Sequence, residues 1–284
     1  MVTLQCGEMQ ISVKKRVAEL CSVQYHGREW IWNGDPTYWE RHCPILFPFC
    51  GALKNNEYIY NGVTYPLRKH GFARESMFTL EKKTENSLTF LTTDVPEYKA
   101  EYPFSFELRV TFTINENRLK VDYTVANTGT DVMPYAIGAH EGYACPEGVD
   151  AFDIVLSEPE TLRDGSMSAD FATEPKAVME HGTVWSLNGV FTQEKRVFCF
   201  ENVKNRTLTL KHRDSGRSVR LDFETDNLLL WTAAPEKFVC LEPWSNFPPS
   251  LNSETAEFVK IPGVISLLPG ETNTQSHTIT FDAE

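Results

Sequence analysis

The clearest regularity along the chain is an alternation of hydrophobic and polar residues with a period of two. In residues 104–112, five large apolar side chains alternate with Ser, Glu, Arg and Thr. Residues 119–125 repeat the alternation after the turn-forming Asn-Glu-Asn at 115–117. Because successive side chains of a strand point to opposite faces of a sheet, the pattern predicts two strands joined as a hairpin, each with one buried face.

The same alternation recurs along most of the chain. It predicts further short strands over 88–92, 197–200, 207–210, 219–223 and 277–281. Helical periodicity is weak and favours only 13–22 and 172–180. Many short strands at regular spacing are typical of a sandwich or barrel, so we expect an all-β fold of large antiparallel sheets with few or no helices. No Gly-, Pro- or Ser-rich linker divides the chain, and we predict a single domain over residues 1–284.

Composition and charge narrow the choice of partners. The 284 residues are 41% hydrophobic and 23% charged, which is the mixture of an ordinary globular protein with a substantial core. The formal net charge of -12 leaves no broad positive field to attract a phosphate backbone or an anionic membrane. We therefore expect neither nucleic acid nor a membrane as a partner. A phosphorylated sugar stays open, because one or two local arginines can bind a phosphate against the global charge.

The seven cysteines are odd in number, widely spaced and never in a C-x-x-C pair. This spacing favours reduced thiols over a disulfide framework or a zinc ribbon. The N-terminal sequence lacks the features of a signal peptide, and no apolar run reaches the length of a membrane span. We therefore expect a cytoplasmic protein. Its oligomeric state is open, and a homodimer is compatible with the sequence.

Four segments combine Gly or Pro with polar residues that a purely structural loop does not need. They are residues 43–53, 68–74, 133–146 and 238–248. His140 lies between small residues that let a ligand approach, and it is a candidate proton donor because the unperturbed pKa of histidine lies near neutrality. Glu242 lies between an apolar run and Pro-Trp. Burial of such a carboxylate raises its pKa and makes it a better base.

The second of these segments brackets a glycine with His70 and Arg74, which can aim an imidazole and a guanidinium into one pocket. The planar fork of arginine suits vicinal sugar hydroxyls or an anionic group. Tryptophans such as Trp244 can stack on the C–H faces of a sugar, and packing in the core or rim is the alternative for each. The structural alternatives for the polar residues are a surface ion pair for Arg74, satisfied buried histidines and a strand-end glutamate.

Histidine and cysteine also supply ligand types for a metal. The spacing of His42, Cys43, Cys50, His140 and Cys145 matches no common zinc signature. Phosphate-cradling glycine loops, dinucleotide fingerprints and G-x-S-x-G elbows are absent from the sequence. We therefore expect neither a metal nor an organic cofactor, and hydride transfer or nucleotide-dependent chemistry is disfavoured.

Taken in order, the four segments resemble the aldose 1-epimerase (galactose mutarotase) family, and within it the LacX-like subgroup. The matching stretches are REWIWNGDPTYWERHCPILFPFCGAL, KHGFAR, NTGTDVMPYAIGAHEGYACP and LLLWTAAPEKFVCLEPWSNFP. The resemblance covers almost the whole chain and implies a galactose-mutarotase-like β-supersandwich. It also implies cofactor-free, acid–base ring opening that interconverts the α and β anomers of an aldose. In that family the general base falls on Glu242 and the general acid on His140.

The resemblance further assigns sugar contacts to His70 and Arg74, and a hydroxyl-binding carboxylate near Glu194. Three departures from the family pattern bear on the identity of the sugar. Ala52 stands where the family often has Arg, a Glu at 194 stands where Asp is common, and Glu141 follows the catalytic histidine in place of Pro. Glu141 brings an extra charge beside the acid and is a further candidate contact to the sugar.

Two other functions fit the same residues. A carbohydrate-binding protein would use the concave face and aromatic rim of the sheet without turnover. A glycoside hydrolase would use two carboxylates, such as Glu141 and Glu242, as acid and base. The mutarotase interpretation requires the imidazole of His140 and the carboxylate of Glu242 to converge on one cleft.

Overall fold

A computed structural model describes residues 1–165, 175–249 and 256–283, and within these ranges nearly all regular structure is β-strand. The strands are β1 (Val2–Cys6), β2 (Met9–Lys14), β3 (Glu19–Tyr25), β4 (Arg28–Glu29), β5 (Glu57–Tyr60), β6 (Val63–Pro66), β7 (Thr79–Lys83), β8 (Ser87–Thr93), β9 (Phe106–Asn115), β10 (Arg118–Asn127), β11 (Met133–Tyr135), β12 (Glu141–Ala144), β13 (Phe152–Asp164), β14 (Lys176–Ser186), β15 (Val197–Phe200), β16 (Thr207–His212), β17 (Ser218–Phe223), β18 (Asn227–Trp231), β19 (Phe238–Trp244), β20 (Ile265–Leu267) and β21 (Thr272–Asp282). Short 3₁₀ turns lie at Lys54–Asn56, Ala73–Glu75, Pro96–Tyr98, Val149–Ala151 and Phe258–Lys260. No helix in these ranges is long and apolar enough to cross a membrane.

A large antiparallel sheet runs through most of the chain. Its strands lie in the order β12-β19-β18-β15-β13-β16-β17-β21-β10-β9-β8-β7, and β14 pairs with β13 outside this path. A separate N-terminal sheet has the order β1-β2-β3-β4, and two short ribbons pair β11 with β20 and β5 with β6. Strand twist accumulates across so many strands, so open sheets of this width curl. The expected all-β fold of large antiparallel sheets is confirmed.

The strands predicted from alternation are present. β9 and β10 pair residue by residue from Asn115 opposite Arg118 to Phe106 opposite Asn127. Along β9, buried and half-buried residues alternate as the apolar and polar residues do in the sequence. The other five predicted segments lie within β8, β15, β16, β17 and β21.

The two segments with weak helical periodicity are extended instead. Residues 13–22 span the end of β2, a turn and the start of β3. The apolar residues Val13, Val17 and Leu20 imitate the stripe of a helix, but the chain reverses at Ala18, whose φ is 50°. Pairing of β2 with β3 then buries Val13 and Leu20. The helix prediction for 172–180 is wrong over residues 176–180, which form the start of β14. Residues 172–174 lie outside the described ranges.

An aromatic cluster packs three of the four motif segments against β9. The ring of Phe47 lies between 5.0 and 6.1 Å from the rings of Phe72, Tyr102, Phe106 and Tyr135. All five side chains are buried. Aromatic side chains remove large apolar areas from water, so this cluster holds the loop around Phe72 firmly against the segment around Phe47.

Truncation of a buried leucine of the large sheet is expected to destabilise the fold strongly. Leu119 on β10 is fully buried, whereas Leu268, just after β20, is 54% exposed. Leu119→Ala is expected to lower the free energy of unfolding by about 2–5 kcal/mol, because it removes apolar contacts and leaves a cavity. The same change at Leu268 is expected to alter it by no more than about 0.5 kcal/mol. Urea unfolding followed by tryptophan fluorescence measures both, and equal losses would contradict the burial of β10.

Candidate active site

A cavity of about 320 Å³ lies against the edge of the large sheet formed by β19, β18 and β15. Its remaining walls come from residues 39–44 and from the loop 68–75. The lining residues are Trp39, Arg41, Pro44, Lys69, His70, Arg74, His140, Val197, Leu229, Trp231, Glu242 and Trp244. A volume of this size is typical of cavities that hold small organic ligands.

Strand register places Glu242 on the cavity wall. β19 is buried along its whole length. Its antiparallel pairing with β18 sets Leu229 opposite Glu242 and Trp231 opposite Cys240. Residues directly opposite each other share a face of the sheet, so Leu229, Trp231 and Glu242 line the cavity together.

His140 approaches Glu242 from the neighbouring strand. It immediately precedes β12, and its Nε2 atom lies 3.3 Å from Oε2 of Glu242. Trp39 stacks on the imidazole with ring centroids 5.1 Å apart, and Trp231 contacts it edge-on at 5.6 Å. The imidazole and the carboxylate therefore converge on one cleft, as the mutarotase interpretation requires.

Burial governs the protonation of this pair. Burial of Glu242 raises the pKa of its carboxyl group well above the ordinary value; the charge of Glu141 acts in the same direction and Lys69 opposes it. Burial also lowers the pKa of His140 to about 3. Its Nδ1 atom has no hydrogen-bond partner among the residues described. Both shifts favour a pair that holds one proton, with that proton on the carboxyl group.

A sharp turn at His70 and Gly71 carries the imidazole of His70 to the cavity. Both residues have left-handed backbone angles, with φ of 65° and 64°. A β-carbon on Gly71 would lie 2.2 Å from the carbonyl oxygen of Phe47, which accepts hydrogen bonds from the amides of Phe72 and Ala73. Glycine therefore permits the close contact between this loop and the segment around Phe47.

The hydrogen bonding of His70 defines it as a neutral donor. Its Nδ1 atom accepts a hydrogen bond from the amide of Gly51 at 3.1 Å. In the neutral ring the proton must then be on Nε2. Burial, with further contributions from His140 and nearby cations, lowers the pKa of His70 well below its usual value. The ring lies 5.8 Å from that of His140 and 5.5 Å from that of Trp244, so its N–H can serve an oxygen atom in the cavity.

Three cations line one side of the cavity, and we name Arg41, Lys69 and Arg74 the cationic rim. Nη2 of Arg74 donates to the carbonyl of Lys69 at 3.0 Å, and Nη1 of Arg41 donates to the carbonyl of Arg74 at 3.2 Å. Nε of Arg74 is buried and has no hydrogen-bond partner in the described part of the chain. Sequence reasoning found Arg74 but missed Arg41 and Lys69, although Lys69 directly precedes His70.

Glu141 points away from the cavity. It pairs with Leu241, one position from Glu242, and its Oε1 atom lies 3.1 Å from Nε2 of His277 on β21. Neighbouring residues of an extended chain point to opposite faces, so His140 and Glu141 diverge. The structure therefore does not place Glu141 where it can contact a sugar in this cavity. The glycoside hydrolase alternative loses its second carboxylate for the same reason.

Of the two remaining candidates from the sequence, Trp244 lines the cavity and Glu194 does not. Glu194 lies in an exposed turn between β14 and β15, outside the cavity lining. Trp244 is buried against the cavity, and its indole N–H donates to the carbonyl of Ala139 at 3.2 Å. Of the seven residues singled out from the sequence, five line the cavity and two do not.

The small residues around His140 make room for protein side chains rather than for a ligand. A β-carbon on Gly138 would lie 2.7 Å from the indole of Trp244, and one on Gly142 would lie 3.1 Å from the side chain of Trp32. The interpretation that these glycines let a ligand approach is therefore wrong. They allow two tryptophans to pack against the strand that presents His140.

A buried carboxylate that sequence reasoning missed, Glu19, anchors the segment that carries Trp39 and Arg41. Its Oε1 accepts a hydrogen bond from the amide of His42 at 2.7 Å, and its Oε2 accepts one from Nζ of Lys14 at 2.8 Å. Burial opposes ionisation, but these hydrogen bonds prevail and lower the pKa of Glu19 to about 2. No local motif marks this residue, because the segment it anchors is 23 positions away.

His140 and Glu242 form a group of three potential metal ligands together with Cys240. Ligand atoms of His140, Cys240 and Glu242 lie within 4.8 Å of one another. Burial raises the pKa of the Cys240 thiol well above its usual value, and the nearby carboxylates add to the shift. A raised pKa disfavours the thiolate that a metal would bind. The expectation of no metal at this site stays a prediction.

The fold is that of the galactose mutarotase-like proteins. A galactose mutarotase-like protein from Lactobacillus casei has a TM-score of 0.89 and 25% identity, with 99% of each chain covered. A galactose mutarotase related enzyme from Lactobacillus acidophilus also has a TM-score of 0.89, at 26% identity over 99% of this chain and 97% of the other.

Sequence comparison defines the family. The family model described as aldose 1-epimerase matches residues 1–280. The chain is 36% identical to the chromosomal LacX protein of Lactococcus lactis subsp. lactis over an alignment of 304 positions, which covers 99% of both chains. The chain belongs to the aldose 1-epimerase family.

Substitution of Gly71 is expected to destabilise the protein more than substitution of a glycine with the same backbone angle elsewhere. Gly7, with φ of 59° and no atom within 4 Å of a β-carbon, is the matched position. Gly7→Ala is expected to cost about 1–2 kcal/mol from the left-handed backbone alone. Gly71→Ala is expected to cost more, because the new methyl group would collide with the Phe47 carbonyl. Urea unfolding compares the two, and equal losses would exclude the close contact as the cause.

Proposed function

We propose that this protein is a sugar mutarotase that interconverts the α and β anomers of an aldose. The approach of His140 to Glu242 inside a cavity of suitable volume supports this function most directly. Hemiacetal opening requires two neighbouring groups that can exchange protons with O1 and O5, which are both bonded to the anomeric carbon. Membership of the aldose 1-epimerase family supports the same conclusion.

In the proposed reaction, the proton that the pair holds first moves from Glu242 to His140. The Glu242 carboxylate then removes the proton from the anomeric O1 hydroxyl while the His140 imidazolium protonates the ring oxygen O5. The O1–H and C1–O5 bonds break, and a C1=O1 double bond and an O5–H bond form. Rotation about C1–C2 then exposes the other face of the aldehyde. Ring closure reverses both proton transfers and leaves the opposite anomer.

The electrostatics of the pair suit this cycle. Ring opening moves one proton from His140 to O5 and one from O1 to Glu242, so the pair passes from its charged to its neutral form. Burial favours the neutral form, because it raises the pKa of Glu242 and lowers that of His140. The open-chain state is thereby favoured by burial, and the stacked indole of Trp39 offers a π-face to the imidazolium of the closed state.

The other lining residues would orient the sugar. The Nε2–H of His70 and the unpartnered Nε–H of Arg74 are donors for hydroxyl oxygens. Val197, Leu229 and Trp231 form an apolar wall on which the C–H face of a pyranose can rest. Holding the ring in one orientation converts proton transfer into an effectively intramolecular step.

Loss of either proton-transfer group is expected to abolish most of the activity without unfolding the protein. Glu242→Gln and His140→Asn should each lower kcat by about 10²–10⁴-fold, because each removes one positioned proton-transfer group. In the double variant, kcat should fall by much less than the product of the two single losses, since the two groups work as a unit. Polarimetry or exchange NMR of anomer interconversion measures the rates.

The matched controls are Glu85→Gln and His26→Asn, which change exposed residues outside the cavity and should leave the rate within about twofold of wild type. Near wild-type rates in both cavity variants would refute the assignment. Saturable sugar binding by the wild-type protein without any acceleration of anomer exchange would favour the carbohydrate-binding alternative.

The acid limb of the pH profile is expected to have its midpoint at a lower pH than the pKa of an ordinary glutamate. The free pair loses its base when a second proton enters as the pH falls through the pKa of His140, which is about 3. Accordingly, kcat/KM at pH 4 should stay within about 1.5-fold of its value at pH 5.5, whereas an acid limb at the ordinary glutamate pKa of about 4.3 would lower it about threefold. Exchange NMR, with the uncatalysed rate subtracted and folding checked by circular dichroism, distinguishes the two profiles.

A further inference from the structure

The cationic rim carries positive charge that the protein itself does not balance. Four cations lie in this region: Arg41, Arg68, Lys69 and Arg74. Glu75 lies within ion-pair distance of the three arginines, and Glu101 pairs with Arg68. These two carboxylates leave about two positive charges in excess. This local excess stands against a net charge of -12 for the whole chain.

No lining residue offsets this excess within the ranges that the structure describes. Glu242 is the one lining carboxylate there, and its Oε2 atom lies 3.3 Å from Nε2 of His140. Glu40, next to Arg41 in the sequence, is exposed and is not part of the lining. The Lys69 ammonium has no ion pair or hydrogen bond to any described side chain. The cations of the rim therefore repel one another unless a ligand brings negative charge.

On this basis we propose that the substrate is an aldose phosphate, whose phosphate ester binds at the cationic rim. The inference rests on the proposed mutarotase function and specifies its substrate class. A phosphate monoester carries about 1.5 to 2 negative charges near neutral pH, which matches the excess. Guanidinium groups bind phosphate oxygens through their planar fork, and an ammonium adds a point charge.

The layout of the cavity suits such a substrate. His70, Lys69 and Arg74 belong to one loop, and the ring of His70 lies 5.8 Å from that of His140. The rim and the acid–base pair are therefore separated by about one side chain. A phosphate on the exocyclic carbon would bind at the rim while C1 and O5 meet the pair. The facing wall of Val197, Leu229 and Trp231 offers no charge, so polar recognition is concentrated at the rim.

The test compares anomer exchange of D-glucose 6-phosphate, D-galactose 6-phosphate, the two parent hexoses and singly charged D-glucuronate by exchange NMR. For the wild-type protein, kcat/KM for at least one hexose phosphate is expected to exceed that for its parent hexose by about tenfold or more. The advantage should shrink as the salt concentration rises from about 50 to 500 mM, because salt screens a partly exposed rim. Glucuronate should fall between the two classes.

Lys69→Ala is the informative variant, because Lys69 is exposed and its side chain makes no hydrogen bond or ion pair within the described structure. It is expected to lower the preference for the phosphorylated over the parent sugar by about tenfold. Lys211→Ala, an exposed lysine on β16 outside the lining, removes the same charge and should leave the preference and both rates unchanged. This control separates a local contact from a change in net charge.

The outcomes distinguish this inference from the function on which it rests. Acceleration of the parent hexoses with no preference for their phosphates would overturn the inference and leave the mutarotase function intact. The inference would likewise be overturned if Lys69→Ala lowered kcat/KM equally for the phosphorylated and the parent sugar and Lys211→Ala had the same effect. Failure of the wild-type protein to accelerate exchange of any sugar in the panel would sink the mutarotase function itself.

Discussion

The structure of the site depends on one buried contact, the approach of the His140 imidazole to the Glu242 carboxyl group at 3.3 Å. Two ionisable groups that are withdrawn from water cannot both carry charge without a large loss of solvation. A shared proton resolves this conflict, because the pair is then neutral overall in either tautomer. The same low dielectric that makes the charged form costly makes proton movement between the pair and a sugar sensitive to small changes in position.

Strand pairing in the large sheet fixes the positions of the two residues that make this contact. Glu242 is held by pairing of β19 with strands on both sides, and His140 immediately precedes the β12 strand that pairs with it. Alternation along the chain sends Glu141 to the other face, where it meets His277 on β21. Its charge still raises the pKa of Glu242 from there. The residue that replaces the proline of the family pattern therefore acts on the site through the sheet rather than from within the cavity.

Much of the fold could be predicted from the sequence, because the alternation of apolar and polar residues in each half-buried strand shows which face is buried. The hairpin of β9 and β10 is the clearest case. The four motif segments also contain His140, Glu242, His70, Arg74 and Trp244, which line the cavity. Alternation could have excluded Glu141 as well, because it directly follows His140 on an extended chain.

The remaining features depend on contacts that are distant in sequence. The apolar spacing in 13–22 imitates a helix until the reversal at Ala18 is known. Glu19 has no local signature, and the cationic rim combines Arg41 with a loop almost thirty residues later. The family resemblance assigns a sugar contact to Glu194 without a local motif, and the structure places this residue in an exposed turn.

The net charge of the chain and the local charge of the cavity lining bear on different classes of partner. A nucleic acid or a membrane samples the field of a whole face, and the net charge of -12 is the basis for expecting neither as a partner. A small ligand inside a cavity samples only the groups that touch it, because salt screens exposed charges beyond a Debye length of about 8 Å at physiological ionic strength. Arg41, Lys69 and Arg74 line the cavity and stand within that range of a ligand in it. An acidic protein can therefore exclude polyanions and still select a small anion, and the charge of the cavity lining is the better guide to its substrate.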